Sequence, residues 1–278
     1  QFVSVDGVRL HYQVVGQDTP RLPIIFTHGG GPGSTAWSNF RLSAETFATR
    51  HRCYFLDFAQ FGRSDMVPVH GPLLGWHARK LLGFMDALGL ERVHLINQSL
   101  GGAVALRLAA DSPQRVGRLI SIGAQPVDRG VLQPLPLFSK HAATLMSDYY
   151  LSDGGPSISK MRVLLGRYEL HNDELLDDEN LRLRFEASDN ASFIQLLQTP
   201  GAFGEWESLL PVLDRVQAPT LLCWGLHDWF GSVDVPMMML NRLPDARLHV
   251  FGNAAHHLQS ECPDEFNRLA LSFIGAHE

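Results

Sequence analysis

The chain has 278 residues, 45% hydrophobic and 19% charged, with a formal net charge of −6. That suits one α/β domain with an inserted subdomain, and the absence of a basic run argues against a nucleic acid partner. No uninterrupted apolar stretch approaches the ~20 residues needed to span a bilayer.

Cys53, Cys223 and Cys262 are odd in number and widely spaced, which suits neither a disulfide framework nor a metal-ligand cluster. The opening Gln1–Asp6 lacks the charged and apolar regions of a secretory signal, so the cytoplasm is the default expectation. The oligomeric state is left open, a homo-oligomer included.

In chain order, Val3–Asp6 and Arg9–Val15 flank Asp6-Gly7, a hairpin signal. Apolar runs at Ile24–Thr27 and Cys53–Phe58 read as buried strands. Leu73–Leu90 carries Leu74, Leu81, Leu82, Met85 and Leu88 at helical spacing, a core-packing stripe. Val93–Asn97 is the next strand, Ala103–Asp111 a helix closed by Ser112-Pro113, and Val116–Gly123 another strand. Such alternation predicts a mostly parallel sheet covered on both faces.

From Gln125 to Pro211 the rhythm breaks into Pro-rich turns and acidic helical pieces with no strong strand, which reads as an inserted helical cap. The core then comprises residues 1–124 and 212–278, the cap 125–211. The alternation resumes with the strand Thr220–Trp224, a helix near Val233–Leu243, the strand Arg247–Phe251 and a helix near Pro263–Ile274.

Chemistry enters at His28-Gly29-Gly30-Gly31-Pro32-Gly33, directly after a strand. Glycines there let backbone N–H groups approach a reacting carbonyl; alone, the run could equally be a tight turn or half of a phosphate cradle. Val93–Gln98, Ser99 and Leu100-Gly101-Gly102 read strand, sharp turn, helix. The turn exposes the Ser99 hydroxyl as a nucleophile and aims the Leu100 N–H at a developing oxyanion, with Gly30 as second donor. Asn97, where a small residue is wanted, implies a re-packed turn.

A serine hydroxyl needs a base within reach. His256, in Gly252-Asn253-Ala254-Ala255-His256-His257, follows the last strand and is preferred over its neighbour His257. The base in turn needs an orienting carboxylate. Asp228, in Trp224-Gly225-Leu226-His227-Asp228, is the first choice and Asp128 the runner-up.

The chain resembles the meta-cleavage-product hydrolases, carbon–carbon bond hydrolases of aromatic catabolism within the α/β-hydrolase superfamily. The resemblance rests on His28–Gly33 continuing to Trp37-Ser38-Asn39-Phe40, on Trp224-Gly225-x-x-Asp228, on Ala246-Arg247-Leu248-His249-Val250-Phe251 and on Asp264-Glu265-Phe266-Asn267-Arg268-Leu269. It covers nearly the whole core and is thinner in the cap. It implies an α/β-hydrolase fold with a helical cap, a small-molecule substrate, and no metal or organic cofactor.

The resemblance also implies the triad Ser99, Asp228, His256 and the oxyanion donors Gly30 and Leu100, with Asn39 a polar substrate contact. Arg184, or failing it Arg182, would hold the dienoate end of a 2-hydroxy-6-oxo-hexa-2,4-dienoate. Asn97, Gln98, His257 and the loop Asp57-Phe58-Ala59-Gln60-Phe61-Gly62 depart from the family's usual residues. Gln98 and His257 are thereby expected in the substrate's polar pocket. Leu135, Leu137, Phe138, Phe193 and Trp206 suggest an apolar acyl pocket. The competing expectations are a carboxylesterase or lactonase with the same triad, or a slow-turnover ligand receptor. Ser99 at the turn argues against a haloalkane dehalogenase, which would need an aspartate there.

Overall fold

The computed structural model describes residues 1–125, 136–152 and 154–275. Its elements are β1 (Phe2–Val5), β2 (Val8–Val15), β3 (Ile24–Thr27), α1 (Ala36–Ala48), β4 (Cys53–Leu56), β5 (Val69–Pro72), α2 (Leu73–Ala87), β6 (Val93–Gln98), α3 (Leu100–Asp111) and β7 (Val116–Ile122). There follow α4 (Pro136–Leu151), α5 (Ile158–Leu164), α6 (Asp178–Ser188), α7 (Ala191–Leu197), β8 (Phe203–Glu205), β9 (Thr220–Gly225), α8 (Asp234–Leu240), β10 (Ala246–Phe251), α9 (Leu258–Glu261) and α10 (Pro263–Gly275).

The main sheet runs β1-β2-β4-β3-β6-β7-β9-β10. The β1–β2 and β2–β4 pairs are antiparallel, and every later pair is parallel. Parallel central strands are buried on both faces, so they read as short apolar runs rather than as alternations. The period of two still decides which face each side chain serves. Ile24 and Phe26 pack with α1 and α10, whereas Ile25 packs with α2 and α3 on the opposite face. Leu95 and Ile96 of β6 divide in the same way.

Of the stripe expected over Leu73–Leu90, Leu74, Leu81 and Met85 are buried in α2, and Leu82 and Leu88 are half-buried against the same core. Two N–H groups of the helix's first turn, those of Leu74 and Gly75, donate to the Glu207 carboxylate from a distant part of the chain. Sequence reading left α1 unassigned. Its start is a capping box in which the Thr35 hydroxyl accepts from Ser38 N–H and the Ser38 hydroxyl from Thr35 N–H.

Between β7 and β9 lie α4 to α7, with their own apolar cluster of Tyr149, Tyr150, Met161, Leu164, Leu165, Leu181 and Phe193. This stretch, read as having no strong strand, contains the three-residue β8, which pairs in parallel with β5. Three residues are too few to show a period in the sequence. Leu135 and Asp128 fall outside the described residues, and Leu137 and Phe138 lie in α4. Among the described residues no helix is long and apolar enough to cross a membrane.

The order of strands reverses between β3 and β6: β4 lies on one side of β3 and β6 on the other. In open parallel sheets such a reversal opens a crevice beyond the carboxyl ends of the strands. The segments after β3, β6, β9 and β10 carry His28–Gly33, Ser99, Asp228 and His256.

Candidate active site

Ser99 joins β6 to α3 with φ 50° and ψ −113°, a left-handed conformation that a side chain rarely accepts. The turn is held by Ser99 N–H donating to Ile122 O at 2.7 Å and Gly101 N–H donating to His28 O at 3.0 Å. Strand end and helix start are so close here that a Cβ on Gly101 would lie 2.5 Å from Thr27 Oγ1 and 2.8 Å from His28 O. Asn97, the departure expected to disturb this turn, is absorbed within the sheet. Its Oδ1 accepts from Thr27 Oγ1 at 2.6 Å and its Nδ2 donates to Ile120 O at 3.3 Å.

His256 Nδ1 lies 2.7 Å from Asp228 Oδ2, and both side chains are buried. The other Asp228 oxygen accepts from Phe230 N–H at 2.7 Å and Gly231 N–H at 3.3 Å, which fixes the carboxylate plane. Gly123, at φ 56°, gives the pair room: a Cβ there would lie 2.9 Å from the His256 ring. Ser99 and His256 line one cavity of about 400 Å³ together with Gly30 and Leu100. Most of its other walls are apolar, among them Leu73, Met146, Leu164, Phe193 and Trp206.

The glycine run is shaped from beneath by His28. Its Nε2 accepts from Phe58 N–H at 3.0 Å, so Nδ1 carries the hydrogen and donates to Gly29 O at 2.7 Å. Burial lowers the His28 pKa, against an opposing pull from Asp57, and keeps the ring neutral for this role. Asn39 acts on the same loop: its Oδ1 accepts from Gly29 N–H at 3.0 Å and its Nδ2 donates to Ser34 Oγ at 3.1 Å. The residue expected to touch substrate is not among the cavity-lining residues, and its amide orients the loop instead.

Gln98, His257 and Glu169 are among the polar residues that line the cavity. Gln98 Nε2 donates to His256 O at 3.3 Å, and Gln98 Oε1 is buried with no hydrogen-bond partner. His257 Nε2 lies 2.9 Å from Glu169 Oε2, and the His257 N–H donates to Glu169 O at 3.1 Å. His257 thus belongs to a second histidine–carboxylate pair, distinct from His256 and Asp228.

Arg184 is 1% exposed and is not among the cavity-lining residues. Its guanidinium meets Glu169 through two bonds of 2.8 and 2.9 Å, and its Nε donates to Pro32 O at 2.8 Å. The fork expected to meet a substrate carboxylate meets a carboxylate of its own chain. Arg182, the alternative, is exposed and paired with Glu186. Burial would raise the Glu169 carboxyl pKa, but Arg184 and His257 outweigh it and hold the group well below the usual carboxylate range.

Glu169 escaped the sequence reading. Its only local signal is a lone carboxylate inside the largely apolar Val163–Leu170 stretch. A second unassigned residue, Glu261, clamps this segment to the histidine loop. It accepts from His171 N–H and Asn172 N–H with one oxygen and from Ala255 N–H with the other, at 2.7, 3.1 and 2.6 Å.

The family model for the alpha/beta hydrolase fold matches residues 23–263. The chain is 33% identical over 257 residues to a 2-hydroxy-6-oxononadienedioate/2-hydroxy-6-oxononatrienedioate hydrolase of Pseudomonas sp, covering 90% of this chain and 87% of that one. It is 32% identical over 271 residues to a 2-hydroxy-6-oxo-6-phenylhexa-2,4-dienoate hydrolase of Comamonas testosteroni, covering 95% and 91%. Among solved structures it is similar to the meta-cleavage product hydrolase CumD of Pseudomonas fluorescens IP01, a variant complexed with acetates. That match has a TM-score of 0.82 and 28% identity, over 100% of this chain and 98% of the other.

Proposed function

The chain belongs to the α/β-hydrolase family, among its meta-cleavage-product hydrolases, and from that premise we propose a serine-triad route for the carbon–carbon cleavage it performs. Its substrates are of the 2-hydroxy-6-oxo-hexa-2,4-dienoate type produced in aromatic catabolism. The observation that carries the reading is His256, bonded to Asp228 behind it, on the wall of the same apolar cavity as the strained Ser99 turn.

Bonding to Asp228 commits His256 Nδ1 as the hydrogen-bearing nitrogen and leaves Nε2 as the base. Ser99 attacks the C6 carbonyl of the keto tautomer and passes its proton to His256. Negative charge on the former carbonyl oxygen is held by the N–H groups of Gly30 and Leu100. Collapse breaks the C5–C6 bond. The electron pair moves into the enolate of the keto acid, and His256 returns the proton, releasing a 2-hydroxypentadienoate. Water, deprotonated by His256, then clears the acyl group from Ser99 as a carboxylic acid. Tautomerisation is required because an unstabilised carbanion is a very poor leaving group.

Leu73, Phe193, Phe203 and Trp206 are among the apolar lining residues, and this reading gives them the aryl or alkyl group at C6. The test follows loss of the yellow absorbance of dienoates with phenyl, methyl or hydrogen at C6, with a nitrophenyl ester as control. Bleaching that Ser99→Ala abolishes is the expected result. Ester turnover without bleaching by the wild type would replace carbon–carbon cleavage with an esterase reading.

A further inference from the structure

We propose that Glu169 is a positioning residue: through Arg184 on one side and His257 on the other, it sets the oxyanion loop that carries Gly30 against the loop that carries His256. This role rests on the serine-triad reading, which assigns the Gly30 N–H to the oxyanion and His256 to proton transfer. It adds the group that holds those two in place relative to each other, and it leaves the dienoate substrate class as it stands.

The oxyanion loop is tethered at two points, with Gly30 between them in sequence. On the core side, the Gly29 N–H donates to Asn39 Oδ1 at 3.0 Å. On the other side, the Pro32 carbonyl accepts from Arg184 Nε at 2.8 Å, and the rest of the guanidinium meets both Glu169 oxygens at 2.8 and 2.9 Å. All three guanidinium nitrogens are thereby engaged. The pair also packs directly on the loop backbone. A Cβ on Gly31 would lie 2.9 Å from Glu169 Oε1 and 3.1 Å from Arg184 Nη2, and one on Gly33 would lie 1.8 Å from Arg184 O.

The histidine loop is tethered in the same way, with His256 between the two points. Ala255 N–H donates to Glu261 Oε2 at 2.6 Å, His257 N–H donates to Glu169 O at 3.1 Å, and His257 Nε2 lies 2.9 Å from Glu169 Oε2. Main chain and side chain of Glu169 thus grip one residue. The local fold permits this: Leu165–Glu169 is a single π-helical turn, closed by Leu170 N–H donating to Leu165 O at 3.0 Å. Glu169 is its last residue, so its carbonyl is free of the helix ladder. Such turns are rare and occur frequently at functional sites. Stability alone is a weak reason for the pair, because well-packed apolar residues of similar volume do as well as a buried ion pair. What they cannot supply is the bond to Pro32 or the grip on His257, and a misplacement of about 1 Å can cost about 10² in rate.

The experiment measures kcat and KM for 2-hydroxy-6-oxo-6-phenylhexa-2,4-dienoate and for a nitrophenyl ester, in wild type, Arg184→Lys and the double variant Glu169→Met with Arg184→Met. Arg184→Lys keeps a cation for Glu169 but has no second donor fixed toward the Pro32 carbonyl. The double variant removes the pair and leaves no buried charge alone, and thermal unfolding shows whether it is folded. Both variants are expected to lose about tenfold or more in kcat, by similar factors on the two substrates, with KM within about threefold. The losses run in parallel because the oxyanion loop and His256 serve either substrate. Arg184→Lys decides the matter if the double variant fails to fold.

Wild-type kcat on both substrates in a folded variant would reduce the pair to core filling and overturn the proposal. A loss confined to the dienoate and led by KM would show Arg184 reading the substrate carboxylate, which overturns it equally. If the wild type hydrolyses the ester and bleaches no dienoate, the carbon–carbon reading falls and the ester kinetics alone decide the role of Glu169. Turnover of neither substrate would remove the triad route and the proposal with it.

Discussion

Gly101 N–H donates to the His28 carbonyl at 3.0 Å, tying the start of α3 to the loop after β3. The two N–H groups assigned to the oxyanion, Gly30 and Leu100, sit on opposite sides of that bond, so it sets their spacing. Gly101→Ala would place a Cβ 2.5 Å from Thr27 Oγ1 and 2.8 Å from His28 O, forcing the two segments apart. Loss of one oxyanion donor costs about 10²–10³ in kcat, and a fall toward that range is expected from Gly101→Ala. Stopped-flow bleaching with 6-phenyl dienoate would check it, KM changing far less than kcat.

Asp228→Asn keeps the shape of the pair but offers His256 Nδ1 an amide that can act as donor. The imidazole then adopts the wrong tautomer and is no longer stabilised as imidazolium, and kcat should fall about 10⁴-fold. Thermal unfolding of the same variant should move little, because Phe230 and Gly231 N–H groups can still be accepted by the amide oxygen. A variant retaining a tenth of wild-type activity would remove Asp228 from the triad.

The parts legible in sequence were those whose signal is local. Ser99, Asp228 and His256 each follow a strand, and the glycine run and the Trp224-Gly225 piece mark the loops that hold them. Glu169 was not legible because what defines it is tertiary: its partners come from α6 and from the loop after β10. The same holds for the Arg184 pairing with Glu169, which no local pattern around Arg184 announces. Asn39 could be placed in α1 only by noticing Thr35-x-x-Ser38 as a cap. The β5–β8 pair depends on three residues, too few for periodicity.

Asn39 separates positioning from contact. Asn39→Ala leaves the Gly29 N–H buried without its acceptor, at a cost of about 1–3 kcal/mol in stability. The glycine loop loses a tether, so kcat should drop by about ten- to a hundredfold as the oxyanion donor is misplaced. A direct substrate contact would instead appear mainly as a raised KM. Asn39→Asp restores the acceptor and should recover most of the lost kcat, an outcome a merely spatial role would not give.

His77 gives the fold an acid sensitivity of its own. It is buried beside Phe58 and Trp76, neither ring nitrogen has a hydrogen-bond partner, and burial, with His28 nearby, lowers its pKa from 6.5 to about 3. The unfolded chain takes up a proton near pH 6.5, whereas the folded ring stays neutral until about pH 3. Its contribution is therefore complete above pH 6.5 and is lost as the pH falls toward 3, by up to about 1.4 kcal/mol per unit. Glu169, a carboxylate with a depressed pKa, contributes stability above its ordinary value of 4.5 and loses it only below that. The window from 6.5 to 4.5 thus isolates histidine. Urea midpoints at pH 7, 5.5 and 4.5 should fall in the wild type and fall less steeply in His77→Phe, which fits among aromatic neighbours and has nothing to protonate. Burial also lowers the His28 pKa, so a residual slope is expected. Equal slopes in the two proteins would place the acid sensitivity elsewhere.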